Sequence, residues 1–389
     1  QKWPLVRQLD LQVSGRIEDF RVRTGTSFYQ ISPAVDITGQ IYKLISSTAT
    51  YRSTNPTLAL RWRPVESVML RGSVAHGFSP PTFDQLLENP DPSMFPSIIT
   101  DPRRGRASYG VFTLSGGNRD LEPETSRSES AGVVFTPRHF KGLRLSADWL
   151  RINKQNNIGT LALQQMIDNE LFFPARVQRD AVPTGDSYGI GPITLVDLST
   201  LNLLRSSVES IDFSAGYRRA TDHLGTFEVI ALCTVTEHFQ QQLAFRQPTI
   251  DTVNFRNSPL RRQGNVAVTW EFRRWTLGWS ARYVGGYRVS GPPLTTSTLV
   301  TTRQGGVFVK SQDFHDVFAA YRFRRAGSGP GINVPRWYER ALRGGEITVG
   351  LRNVFNLRPR YDVVNSTYFY SPWGDIRLRE YRITLKKPL

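Results

Sequence analysis

Apolar and polar residues alternate singly along most of this chain, the period of a strand with two unlike faces. Over 9–18, Leu9, Leu11, Val13, Gly15 and Ile17 alternate with Asp10, Gln12, Ser14, Arg16 and Glu18. Over 143–149, Leu143, Leu145, Ala147 and Trp149 alternate with Arg144, Ser146 and Asp148. Ile211, Phe213, Ala215 and Tyr217 oppose Asp212, Ser214 and Arg218, and Val266, Val268, Trp270 and Phe272 oppose Ala267, Thr269 and Glu271. The pattern returns over 277–283, 317–323, 346–352 and 380–386, and helical periodicity is nearly absent. About twelve strands follow, near 5–22, 55–63, 67–77, 125–136, 142–154, 205–218, 225–238, 260–273, 275–288, 308–324, 344–355 and 379–388. The segment 24–54 reads as an outer loop with its own hairpin.

Alternation alone fits a soluble sandwich, whose apolar face fills a core, or a membrane barrel, whose apolar face meets lipid. Connection lengths separate them. Short links near 64–67, 137–141, 219–224 and 273–275 alternate with long ones near 79–123, 155–204, 240–258 and 289–306. Short turns on one side and long loops on the other are the rhythm of an outer-membrane-type barrel, whereas long structureless loops count against a compact soluble domain. This parity places the carboxyl terminus on the short-turn, periplasmic side. Trp62, Trp149, Trp275, Trp279, Tyr283, Trp337 and Tyr338 fall near strand ends, as interfacial girdles do. The expected fold is all-β: an antiparallel transmembrane β-barrel wall. No run of about 18 apolar residues is present, which excludes a transmembrane helix.

Composition changes this picture little. The 389 residues are 39% hydrophobic, 11% aromatic and 21% charged, with a net charge of +16. Such a charge is a nucleic-acid footprint only when gathered on one patch or helix. Here the basic residues are almost all Arg and are scattered through alternating strands, so a polar interior is the simpler reading and no nucleic-acid partner is expected. Cys233, the single cysteine, permits neither an intrachain disulfide nor a Cys-based zinc site; its neighbours place it on a buried or lipid-facing stripe. The chain opens at Gln1 without a signal peptide, so processing or truncation is expected to have removed its natural start.

From position 55 onward several motifs stand in order. Asn55-Pro56-Thr57-Leu58-Ala59-Leu60-Arg61-Trp62-Arg63-Pro64 is a strand ending in an aromatic, a variable residue and Pro. The stretch from Leu70 and Arg71 through Gly77, Phe78, Pro80 and Pro81 is an Arg-Gly-Ser strand running into a Gly-Phe-x-x-Pro corner. Most specific is Gly117-Asn118-Arg119-Asp120-Leu121-Glu122-Pro123-Glu124-Thr125-Ser126, with Glu129 and Gly132 beyond it. With these the chain resembles the TonB-dependent outer-membrane receptors; Gly350-Leu351-Arg352-Asn353-Val354-Phe355-Asn356 resembles their penultimate-strand signature, and Tyr370 through Leu385 their closing strand. These are shaping residues: Gly77 and Pro80/Pro81 end pairing at a strand tip, Gly116, Gly117 and Asn118 favour a tight turn with positive φ, and Glu124 accepts hydrogen bonds from loop amides.

The resemblance implies a barrel of about 22 strands with a plugged lumen, so residues 1–389 are expected to be its carboxyl-terminal part, without the plug, the TonB-contacting box and the first strands. Where the family ends in an aromatic residue, this chain ends Lys387-Pro388-Leu389. The implied function is import of a scarce ligand of the siderophore, cobalamin or saccharide class under TonB-driven gating. The expected partners are outer-membrane lipid, the barrel-assembly machinery, TonB acting through the plug, and a small-molecule ligand. The expected location is the Gram-negative outer membrane. A self-contained barrel of about twelve strands, a porin or a membrane hydrolase, is the rival reading, and a soluble β-sandwich binding module the third.

No catalytic constellation is legible: His76, His139, His223, His238 and His315 fall on separate segments, and no Gly-x-Ser-x-Gly, phosphate-cradling loop or His-Glu-x-x-His occurs. No enzyme activity, cofactor or metal is expected. Glycine pairs such as Gly285-Gly286 and the segment 327–331 read as turns. Asp84, Glu88, Asp91, Asp101 and Asp120 crowd the longest loop and read as solvated. The same loop carries Arg103, Arg104 and Arg106 beside Phe95, Tyr109 and Phe112, a set that suits an anionic or sugar-like ligand through bidentate guanidinium contacts.

Overall fold

The computed structural model describes residues 6–24, 47–88, 92–242, 248–289, 303–323, 344–363 and 369–387. Its strands in chain order are β1 (Gln8–Thr24), β2 (Ser47–Val65), β3 (Val68–Ser79), β4 (Ser97–Asp101), β5 (Ala107–Leu114), β6 (Glu124–Phe135), β7 (Leu143–Gly159), β8 (Val177–Arg179), β9 (Ile193–Asp197) and β10 (Leu201–Thr221). There follow β11 (Gly225–Gln241), β12 (Ile250–Asp251), β13 (Arg262–Phe272), β14 (Trp275–Val284), β15 (Tyr287–Arg288), β16 (Phe308–Val309), β17 (Gln312–Arg322), β18 (Glu346–Arg352) and β19 (Glu380–Lys386). Two short helices, α1 (Phe83–Leu86) and α2 (Leu163–Asp168), lie in the long connections.

Twelve strands form one sheet in the order β1-β2-β3-β6-β7-β10-β11-β13-β14-β17-β18-β19, with β12 added beside β11. Every neighbouring pair along this path is antiparallel. Each expected strand has a counterpart, but three expectations need correction. Residues 47–54 are not loop: they open β2 and pair with 17–24 of β1. The expected strands at 275–288 and 308–324 each break in two, because the chain turns at Gly285 and β15 leaves the wall to pair with β16. The connections 79–123 and 155–204 are not structureless, since they carry α1, α2, β4, β5, β8 and β9. Residues 25–46, Asp91, 327–331, Trp337, Tyr338 and Leu389 lie outside the described residues.

The pairing register sorts side chains into two unlike faces. Leu11 faces Leu60, Leu60 faces Gly72, Gly72 faces Ala131, and Ala131 faces Trp149. Further round, Trp149 faces Ile211, Val268 faces Trp279, and Val349 faces Ile383. On this face Val13, Phe213 and Ile383 remain 74%, 45% and 74% exposed. The opposite face is polar. Arg61 Nε donates to Asp10 at 2.7 Å, Ser73 and Ser130 hydroxyls meet at 2.8 Å, Ser146 and Ser214 at 2.7 Å, and Thr234 donates to Asp212 at 2.6 Å.

This arrangement decides between sandwich and membrane wall. A sandwich would bury the apolar face against a second sheet. Here both clusters of buried hydrophobic residues lie instead in connections: one around Ile99, Val111, Met166 and Val196, the other around Leu260, Tyr287, Val289 and Val309. The expected apolar stripe around Cys233 is part of the uncovered face, where the thiol is exposed opposite Phe213.

Arg71 and Asp148 form a bidentate pair on the polar face, both bonds 2.7 Å long. They belong to strands separated by β6, and Gly132 of β6 is the register neighbour of both. A Cβ at Gly132 would fall on the Asp148 carboxylate and close to the Ala147 carbonyl. Gly132→Val is therefore expected to break the pair and lower stability by roughly 1–3 kcal/mol, read as the urea midpoint of tryptophan fluorescence. Gly216→Val is the matched control, because nothing lies within 4 Å of the place its Cβ would take, and its midpoint should move far less.

Candidate functional site

The two longest connections fold into one unit at the long-loop end of the wall. β4 and β5 form a hairpin from the β3–β6 connection; β8 and β9 come from the β7–β10 connection. β5 and β9 then pair in parallel, Phe112 to Leu195 and Leu114 to Asp197, giving a four-stranded sheet β4-β5-β9-β8. Parallel neighbours need no direct turn between them, so two segments distant in sequence become one body. Its core contains Ile99, Val111, Leu161, Met166, Ile167, Val177, Ile193 and Val196.

Charge is buried beside that core. Asp101 is fully buried and receives Arg179 Nη1 at 2.8 Å and Nη2 at 3.0 Å, Tyr109 OH at 2.6 Å and the Arg103 backbone N–H at 3.0 Å. Arg179 also donates to Glu170 through Nε and Nη2, both at 2.7 Å, and Arg103 Nη1 reaches Glu170 at 3.0 Å. Tyr109 OH accepts the Ile193 N–H at 2.9 Å, which ties the network to β9. Burial pushes the Asp101 carboxyl up, but the Arg179, Tyr109 and Arg103 bonds outweigh it and hold it below its ordinary value. Burial and the bond to Asp101 hold the Tyr109 phenol above its own.

The expected ligand set therefore divides. Arg103 is tied to Glu170, and Arg104 is tied to Asp186 and the Ile190 carbonyl, with its guanidinium 4.9 Å from the Tyr188 ring centroid. Tyr109 is spent inside the network. Arg106, left-handed at φ 63°, lines an open cleft of about 470 Å³ with Thr100, Pro102, Gln164 and Asp168. Phe95 and Phe112 are exposed, at 75% and 44%. Three groups that hold the unit, Glu170, Arg179 and Asp186, carry no spacing signal: Arg179 is 78 residues from its partner Asp101.

The motif residues fasten this unit to the wall. Gly117 N–H donates to the Leu87 carbonyl at 2.7 Å and Asn118 N–H to the Gln85 carbonyl at 2.8 Å. A Cβ on Gly117 would strike the backbone of Gln85 and Leu87. Close approach, not positive φ, is its reason for being glycine; among Gly116, Gly117 and Asn118 only Gly116 has positive φ. Asn118 Nδ2 donates to the Thr200 carbonyl at 3.2 Å, Leu121 and Pro81 are buried, and the Leu121 carbonyl accepts Tyr51 OH at 3.1 Å. Beyond Pro123, Glu124 accepts the Ile158 N–H at 2.9 Å and Lys154 Nζ at 2.7 Å. Gly77 pairs with Ser126, and Phe78 lies 5.7 Å from Phe20 between ring centroids. At the other side, Asn353 is buried with φ 49° and exchanges both amide bonds with Leu357 at 2.8 Å, while Phe355 stands edge-on to His315.

A second cavity, of about 710 Å³, opens on the polar face between Asn265, Ser280, Arg282, Phe314, Asp316 and the segment Gly374–Leu378. Arg352 spans Asp375 at 3.2 Å and Glu380 at 3.0 Å, and Arg377 holds Asp375 at 2.9 Å. The Arg377 bond is the main reason the Asp375 carboxyl sits below its ordinary value. Asp316 accepts the Asn353 N–H at 2.7 Å. Arg282 stacks on Phe314 at 4.9 Å and has no carboxylate partner among the described residues, so it is the surplus cation of this cavity. The sequence offered no cue to it, since its residues come from five separate segments.

A two-faced antiparallel sheet whose apolar face is left uncovered is the wall of a membrane-spanning β-barrel. The chain belongs to the TonB dependent receptor-like, beta-barrel family, whose model matches residues 2–357. No curated protein matches it. Among solved structures it is similar to the siderophore receptor PirA from Acinetobacter baumannii, with TM-score 0.53 and 15% identity over 86% of this chain and 41% of that one. It is similar to a mutant of the ferric enterobactin receptor PfeA from Pseudomonas aeruginosa, with TM-score 0.53 and 14% identity over 97% and 50% of the two chains. It is also similar to the FrpB iron transporter from Neisseria meningitidis, with TM-score 0.51 and 15% identity over 97% and 42%. This chain thus spans half or less of the length of each, and the likeness at these identities concerns the fold.

Removing Arg179 leaves Asp101 and Glu170 buried without their shared cation. Arg179→Ala is expected to destabilise the loop unit by about 3–5 kcal/mol, seen as rapid proteolysis within 92–121 and 160–200 while the wall stays protected. The pH dependence follows the Asp101 shift. Its folded value lies below its ordinary 3.8, so its stabilisation is complete above that pH and is lost as pH falls through the lower folded value. Loop protection should hold at mildly acidic pH and fail only below the ordinary carboxylate range.

Proposed function

We propose that this chain is the wall and loop portion of a Gram-negative outer-membrane receptor that imports an iron chelate of the siderophore class under TonB-driven gating. The observation that carries the reading is the uncovered apolar face running across twelve strands beneath a folded loop unit. Membership of a family of transport receptors supports it, as does the likeness in fold to siderophore, ferric enterobactin and iron receptors.

The wall is one part of a wider barrel. Among the described residues the free edges of β1 and β19 do not pair with each other. Open edges in hydrocarbon leave N–H and C=O groups unsatisfied, which lipid cannot repair. Further strands and a plug domain, through which TonB acts, complete the barrel, and residues 1–389 form its carboxyl-terminal part. A self-contained barrel would instead close β1 on β19. The barrel-assembly machinery inserts the wall, and its apolar face meets outer-membrane lipid.

The ligand is anionic. Arg106 in the loop cleft and Arg282 in the wall cavity are the two arginines of these sites without a carboxylate partner among the described residues. Phe95 and Phe112 give the loops exposed aromatic surface. In the full-length receptor, Arg282→Ala and Arg106→Ala are each expected to weaken binding of a ferric catecholate about tenfold, the order of a charge-assisted hydrogen bond, read by ligand quenching of tryptophan fluorescence. Arg104→Ala should act differently, exposing the loops to protease first. Unchanged affinity in both cavity variants would sink the anionic-ligand reading.

A further inference from the structure

The short-turn end of the wall carries an arginine pair with no carboxylate partner among the described residues. β13 and β14 are joined by a two-residue turn, Arg273-Arg274, closed by the Phe272–Trp275 pair. Arg273 is left-handed, with φ 55°. Tight hairpins put Gly, Asn or Asp at such a position, because any other L residue is strained there. Backbone strain that persists without a folding reason is grounds for seeking a functional one.

The side chains give that reason. Arg273 lies over the Phe272 ring, 5.0 Å from its centroid, and Arg274 Nη1 donates to Tyr321 OH at 3.2 Å. Neither guanidinium has a carboxylate partner among the described residues; the nearby Glu346 is taken by Arg322. Exposed Arg219 stands opposite Phe227 on the next strand pair and is likewise without an ion pair among the described residues. Beneath these cations runs a collar of rings on the apolar face. Phe227 and Trp270 stack at 6.0 Å, Trp270 and Phe272 at 5.8 Å, and Trp275 meets Tyr321 at 4.8 Å. Trp270 Nε1 is fixed on the Leu224 carbonyl at 2.6 Å, so this part of the collar is held rather than free.

Cations at the rim, aromatic rings at headgroup depth and aliphatic surface below match the three zones of a glycerophospholipid. We propose that this rim binds an anionic glycerophospholipid of the phosphatidylglycerol type, with its phosphodiester between Arg273, Arg274 and Arg219 and its acyl chains along the Trp270–Trp275 face. Three guanidinium groups without a carboxylate partner among the described residues, the turn pair foremost, select an anionic headgroup over a zwitterionic one. The inference rests on the reading that the apolar face meets lipid.

The test uses the full-length receptor inserted in phosphatidylcholine vesicles that contain a small, fixed fraction of either phosphatidylglycerol or phosphatidylcholine with brominated acyl chains. Quenching of tryptophan fluorescence reports lipid along the apolar face, and the part of it that depends on the rim arginines reports lipid beside Trp270 and Trp275. Wild type is expected to favour brominated phosphatidylglycerol about tenfold. The Arg273→Gly/Arg274→Gln variant should bring the two lipids to parity, although Arg273→Gly removes the strained φ and cannot harm the turn. Arg273→Lys/Arg274→Lys should keep most of the preference. Soluble glycerol phosphate should not displace the lipid; if it does, the site is one for free phosphate and the proposal falls. Equal quenching by both lipids in wild type, or a preference intact in the Gly/Gln variant, overturns the proposal and leaves the membrane reading standing. A chain that fails to enter the vesicles overturns both.

Discussion

Register is the constraint on which this molecule rests. Side chains alternate along a strand, so a slip of one residue in any pairing would exchange the faces of everything beyond it. Eleven consecutive pairings in this wall keep Leu11, Leu60, Trp149, Trp270 and Trp279 on one side and the Asp10–Arg61, Arg71–Asp148 and Asp212–Thr234 contacts on the other. In lipid the requirement is stricter still, since each ladder bond also satisfies a backbone group that no solvent can reach. The irregularities are placed accordingly. Register shifts in β10 fall between Asn202 and Leu204, Leu204 and Ser206, and Glu209 and Ser210, all towards the long-loop end, and the β2–β3 shift falls between Trp62 and Val65, beside the short turn.

Strand length explains what those upper segments do. A strand crosses a bilayer in about 9–11 residues, whereas β10 has 21, β2 has 19 and β7 has 17. The excess carries the connections beyond the apolar band, where they pair with one another. The β5–β9 pairing joins two connections, and Arg179 between Asp101 and Glu170 fixes their relative position. A buried charged triad adds little net stability over an apolar one, yet it is costly to break and poorly tolerant of other partners. It specifies which strand meets which, and so gives the loop surface a defined shape from segments that share no turn.

The wall was legible in the sequence and the loop unit was not, for one physical reason. Alternation is a local property, so Leu9 through Ile17 or Val266 through Phe272 declare their faces without knowledge of any neighbour. The parallel pairing of Phe112 with Leu195 and the bond from Arg179 to Asp101 join residues some eighty positions apart, and nothing periodic marks them. For the same reason Arg103, Arg104 and Arg106 look equivalent in a row, yet two close internal ion pairs and one faces a cleft. The motif from Gly117 to Glu124 carries its turn-forming residues in plain sequence. What could not be read was the contact that demands glycine at 117, because Gln85 and Leu87 reach it only through the fold.

Charge is where the two levels meet. A surplus of +16 would suggest a polyanion partner if it were spread over an outer surface, but the fold divides it. On the polar face several arginines are matched by carboxylates, as Arg61, Arg71, Arg322 and Arg352 show. Among the described arginines without a carboxylate partner, some stand at a cavity or rim: Arg106 on the loops, Arg282 in the wall cavity, and the Arg273–Arg274 turn at the opposite rim. An unpaired guanidinium at a cavity or rim retains its capacity for bidentate contact with an oxyanion. Three such places at different heights on one wall need no common ligand. The two on the loop side face what arrives from outside, and the third faces the headgroups in which the wall is seated.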